Sequence, residues 1–249
     1  MKTRLVFLFI PALFLFQGAL HAQTRKDFSG WGAMFGTYKI NDKFGVHFEG
    51  QVRSTNEWEH VQQVIARFGL NYAVKKNMIA TVGWAWIGTR RTVDGITAIA
   101  PEQRIWEQFI INESFSLGGH RTSIQNRFRL EQRFISVSVA DTNDNKLATD
   151  SYNFMQRFRY FARTIYPLAQ TDAFKQGAYV ALQDELFFNI QNADVTTGHF
   201  FDQNRAYISI GYRTSPSFDV EVGYMNQFIL GRERNTVNNI IQLATYIRI

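Results

Sequence analysis

From Phe28 onward, apolar residues occupy every second position along most of the chain, with polar residues between them. Phe44, Val46, Phe48 and Val52 fall on one side, opposite His47, Glu49, Gln51 and Arg53. Val64, Ala66, Phe68, Leu70, Tyr72 and Val74 oppose Gln63, Arg67 and Asn71, and Met78, Ala80, Val82, Trp84 and Trp86 continue after a basic turn. Phe128, Leu130 and Phe134 oppose Arg127, Arg129, Glu131 and Arg133; Tyr152, Phe154, Phe158 and Tyr160 oppose Arg157 and Arg159. Toward the end, Ala206, Ile208, Ile210 and Tyr212 oppose Arg205, Ser209 and Arg213, and Phe218, Val220, Val222 and Tyr224 oppose Asp219 and Glu221. A helix would mix these sets on one face, whereas a pleated strand separates them, so the pattern predicts strands.

About eleven candidates emerge, the first over residues 28–40 and the last over 237–249. Most run to roughly 10–13 residues, where strands of soluble sheets average about 5–6. A tilted strand needs about 9–11 residues to cross a hydrocarbon layer. Short turns are expected at Asn41-Asp42, Lys75-Lys76-Asn77, Gly118-Gly119 and 214–217. Longer polar loops are expected over 54–60, 90–101, 141–150 and 191–203. That alternation is the outer-membrane pattern, short on the periplasmic side and long outside. The fold class expected is therefore all-β, an antiparallel transmembrane β-barrel of the outer-membrane type with 10–12 strands. Even parity, required if every neighbouring pair is antiparallel, favours twelve, with the first strand running toward the periplasm.

Alternation alone also suits a β-sandwich or a lipocalin-like barrel. Three features favour the membrane: strand length, an N-terminal leader, and aromatics near strand ends (Trp31, Tyr72, Trp84, Trp86, Tyr212, Tyr224), where rings with a polar edge suit the interface. Ile249 stands where many such barrels end in an aromatic residue. The leader, residues 1–22, has Lys2 and Arg4 ahead of an apolar run over 5–15 and ends in Leu20-His21-Ala22, the pattern of a cleaved signal peptide. The barrel domain is expected over 23–249. Localisation in the outer membrane after export through the periplasm follows, with lipid and the barrel-assembly machinery as expected partners.

Composition changes little. The chain has 23 Phe and 10 Tyr but only 4 Pro, which leaves long strands uninterrupted. Cysteine is absent, so disulfides and thiolate metal sites are excluded. The net charge of +6 is spread along the chain instead of clustered, which argues against a nucleic-acid partner.

The runs Arg127-Phe128-Arg129-Leu130-Glu131-Gln132-Arg133-Phe134, Pro101-Glu102-Gln103-Arg104-Ile105-Trp106-Glu107-Gln108, Arg157-Phe158-Arg159 and Phe201-Asp202-Gln203-Asn204-Arg205 resemble the family filed as domain of unknown function 2490. The resemblance covers Trp31 to the C-terminus. It implies an outer-membrane barrel of the kind predicted for Bacteroidetes and implies no activity.

Arg104, Arg127, Arg129, Glu131, Arg133, Arg157, Arg159, Arg163, Glu185 and Arg205 share the predicted inner face. Glu107 and Asp184 fall among apolar positions, where bulges are expected. The inner face reads first as an ion-pair network filling a narrow lumen, which makes the barrel a scaffold for its loops. A narrow pore or binding protein for small anionic solutes is the alternative, and an outer-leaflet hydrolase is the third reading. For the last, His120 and Ser123 lie three apart and so on opposite faces of a strand. His47 sits in a strand, while His60 and His199 sit in loops near Glu57, Glu59 and Asp202. No spacing matches a metal site or a nucleophile elbow, and no cofactor is expected.

Overall fold

The computed structural model describes residues 24–144, 146–169 and 173–249; the expected signal peptide lies outside them. Eleven strands form a closed barrel among the described residues: β1 (Arg25–Lys39), β2 (Phe44–Ser54), β3 (Val61–Lys75), β4 (Met78–Val93), β5 (Ile96–Leu117), β6 (His120–Asp141), β7 (Lys146–Pro167), β8 (Gly177–Gln191), β9 (Phe201–Ser215), β10 (Phe218–Ile229) and β11 (Thr236–Arg248). Each pairs with its sequence neighbours in antiparallel fashion.

The count corrects the preference for twelve. With an odd number, first and last strands run in the same direction, and β1 closes on β11 as a parallel pair from Arg25↔Thr236 to Thr37↔Arg248. Parity therefore places no limit here, because a parallel seam satisfies the edge as well as an antiparallel one. The β2–β3, β4–β5, β6–β7, β8–β9 and β10–β11 connections lie at one end, called the loop end. The opposite, turn end carries the remaining connections and Ile249, whose carbonyl accepts the Lys39 N–H at 2.6 Å.

Two expected loops are strand instead. The stretch 90–101 runs straight through a two-residue turn, Asp94-Gly95, with φ of 48° and 81°. Positive φ at both positions is the turn that matches the twist of a hairpin, and Asp-Gly adopts it readily. Most of 141–150 likewise belongs to β6 and β7. The β7–β8 connection, 168–176, breaks the expectation of short turns at its end. No bulge occurs at Glu107 or Asp184: register runs unbroken past both, and both side chains face outward. There they bond across the wall, Gln132 donating to Glu107 at 3.1 Å and Asn204 to Asp184 at 2.5 Å.

The strand faces separate as the alternation predicts. Outward positions carry exposed Phe68, Leu70, Val82, Ile208, Ile210, Val222 and Leu243. Inward positions carry most of the charge, around two small apolar clusters: Trp31, Tyr207, Met225 and Ile240, and Ile65, Ala85, Ile87 and Trp106. Trp31 thus belongs to the interior and not to a surface belt. Trp106 lies across Gly83, its register partner on β4, and Gly69, the partner of Gly83 on β3. A Cβ on Gly83 would stand 2.2 Å from the Phe68 carbonyl oxygen and 2.5 Å from the Trp106 ring. Gly83→Ala is therefore expected to cost about 1–3 kcal/mol by overpacking, read as a lower urea midpoint in detergent micelles.

Candidate functional site

The inward positions of β5 to β9 form one charged constellation. Glu131 on β6 is its hub and is fully buried. Arg159 donates to it at 2.6 Å and Arg157 at 2.8 Å, both from β7, and Arg104 from β5 at 3.3 Å. Arg67 on β3 stands 3.6 Å away across the lumen, so one carboxylate links strands that are not neighbours. Glu185 on β8 accepts from Arg127 at 2.8 Å and Arg159 at 2.6 Å, with Arg205 at 3.8 Å. Glu102 on β5 accepts from Arg104 and, through both its oxygens, from Arg133 at 2.6 and 3.1 Å. The fork of a guanidinium fits a carboxylate in this way, and burial strengthens each bond while making any unpaired member costly.

All of the expected site residues thus lie in the interior, but they gather at three carboxylates instead of forming one ladder. Arg129 reaches Glu131 only at 4.0 Å; it donates twice to Gln108, at 3.0 and 2.6 Å, and stacks on Trp106 with 4.7 Å between its guanidinium carbon and the ring centre. Arg163 pairs with Glu221 near the turn end, where the Tyr179 hydroxyl also donates at 3.0 Å. Sequence reasoning placed Arg67, Glu49 and Glu221 on the inner face without assigning them to the network. It missed Glu102, which stood beside an expected loop, and Asp202, which accepts from Arg157 at 3.3 Å. The signal for Glu102 was the shared phase, two residues from Arg104; Asp202 lies three residues from Arg205, out of phase, and is buried where the β8–β9 register shifts.

A cavity of about 610 Å³ occupies the lumen beside this network. Eleven arginines line it against three carboxylates, Glu49, Glu185 and Asp219. The other acids of the network do not line it, so the residues around the open volume carry an excess of positive charge.

Among the described residues, the histidines do not converge. His47 is in the lumen, its Nε2 3.6 Å from Glu49. The His120 Nδ1 lies 2.8 Å from the Pro167 carbonyl at the turn end, and His60 and His199 lie in loop-end connections. Among the described residues, no group of three or more His, Asp or Glu is placed to hold a metal.

No curated protein and no solved structure matches this chain. A family model does, that of the protein of unknown function DUF2490, over residues 28–238. With most of its length matched, and with a closed barrel around an Arg/Glu interior, the chain belongs to the DUF2490 family.

Proposed function

We propose that this protein is an outer-membrane β-barrel, exported after cleavage of residues 1–22, whose Arg/Glu-filled lumen makes it a rigid scaffold presenting the loop end. The inversion of the barrel carries this reading. A water-soluble barrel turns its apolar face inward; this one turns it out, with Leu70, Val82, Ile210, Val222 and Leu243 each about half exposed or more. On β3 alone the outward set runs from Val64 to Val74, the length a tilted strand needs to cross hydrocarbon. Water would penalise such a continuous band, and lipid favours it.

Aromatic residues near both rims add support. Tyr38, Phe44, Tyr72 and Tyr212 stand toward the turn end, and Phe28, Tyr152 and Phe200 toward the loop end, as interfacial belts require. The partners this reading supplies are lipid around the wall and the assembly machinery during insertion. The ion-pair clusters at Glu131 and Glu185 join strands that are not neighbours, and that at Glu102 ties β5 to β6, which favours a stiff, occupied interior over a wide channel.

Membrane fractionation with heat-modifiability on a gel tests the proposal. The protein is expected in the outer-membrane fraction, migrating faster unheated than boiled. Recovery in the soluble periplasmic fraction, without a heat-dependent shift, overturns it.

A further inference from the structure

Two of the arginines lining the lumen, Arg53 and Arg205, are short of carboxylate partners. Among the described residues, Arg53 on β2 has no carboxylate in hydrogen-bond contact: its donors go to the side-chain oxygens of Gln51 (3.0 and 2.6 Å) and Gln63 (2.9 Å). Arg205 on β9 makes no hydrogen bond among the described residues. Its ion pair with Glu185 is long, at 3.8 Å, and its Nε is buried without a partner. Arg205 is itself more than nine-tenths buried. Both guanidiniums stack on one ring, Trp31, with their carbons 3.9 Å (Arg53) and 5.0 Å (Arg205) from its centre.

Two cations sharing one indole repel each other. The ring face offsets part of that, about 0.5–2 kcal/mol per cation. It falls short of what an underpaired buried charge costs, typically several kcal/mol. Both arginines line the cavity. An anion between the two guanidiniums would pair with both.

We propose that the cavity binds a small solute through a phosphate or carboxylate group held between Arg53 and Arg205, above Trp31. The fork geometry of both residues suits two oxygens of such a group. The cavity, at about 610 Å³, also has room for a solute body beyond the charged group. The site lies inside the wall, which excludes the headgroup of a lipid in the surrounding bilayer. It goes beyond the scaffold reading and does not depend on where the barrel resides.

Calorimetric titration of the purified full chain in a zwitterionic detergent tests this, with inorganic phosphate and acetate as separate probes against chloride at matched ionic strength. Saturable one-to-one binding of phosphate or acetate is expected, and whichever binds identifies the favoured group. Arg205→Gln and Arg53→Gln should each weaken it at least tenfold. Arg213→Gln, whose partner is Asp219 near the turn end, should leave it unchanged. In the wild-type chain the bound anion should also raise the thermal midpoint, and Arg205→Gln without anion should remain folded because it removes an underpaired buried charge. Absence of saturable binding of both probes to the wild type overturns the proposal, as does binding that survives both substitutions. Such a failure leaves the membrane reading untouched, since fractionation is scored separately.

Discussion

Glu131→Ala is expected to destabilise the barrel by about 3–5 kcal/mol, the range for removing one partner of a buried ion pair. The carboxylate is fully buried and accepts from Arg104, Arg157 and Arg159, with Arg67 3.6 Å away. Truncation strands positive charge in the lumen. Arg104 retains Glu102, Arg159 retains Glu185, and Arg157 retains only the longer contact to Asp202 at 3.3 Å. Arg157 should therefore carry much of the loss, and adding Arg157→Met to Glu131→Ala should recover part of it. Glu131→Gln keeps the volume and one acceptor, so it should cost less than the alanine. Urea unfolding in micelles, followed by tryptophan fluorescence, measures all three. A loss below about 1 kcal/mol for Glu131→Ala would show that the network fills space without holding the wall.

An arginine on the outer wall should be comparably severe, provided the wall faces lipid. Val222 is 53% exposed and lies between Ile210 and Leu243 on the neighbouring strands. Val222→Arg is expected to cost about 2–4 kcal/mol in a phospholipid bilayer, the cost of a cation near the midplane. Asn143→Arg, in the exposed β6–β7 turn, should cost nothing measurable. The sign makes the comparison useful. If this face met water, Val222→Arg would be neutral or improve solubility, because it would break an exposed apolar patch.

The two predictions concern opposite faces of the same strands, and alternation alone was enough to separate those faces. A one-residue slip would turn every side chain over, yet His47, Glu49, Gln51 and Arg53 all lie on the lumen side of β2, as their spacing predicts. Counting periodic segments also yields eleven. The preference for twelve came from a topological premise, uniform antiparallel pairing, and the residues of β1 and β11 carried no sign against it. The Asp94-Gly95 turn was different, because that pair is a hairpin signal in its own right. It was obscured by the polar residues flanking it, which continue as strands rising past the loop end.

Phase and the all-β class were determined by the sequence itself, because each depends on neighbours along one chain: a period of two, scarce proline, and turn residues between runs. Its membership of the DUF2490 family was legible for the same reason, in runs such as Arg127-Phe128-Arg129-Leu130-Glu131. Strand length was not: β5, β6 and β7 each run to 22 residues, well past the roughly 10–13 expected. The closing seam, the hub at Glu131 and the pairing of Arg53 with Arg205 over Trp31 were decided only by the tertiary structure. Each joins residues far apart in the chain, on strands whose stagger around the barrel sets who meets whom. Periodicity says that Trp31, Arg53 and Arg205 point inward; only closure of the wall puts them on one ring and leaves the two arginines, among the described residues, without a carboxylate in hydrogen-bond contact.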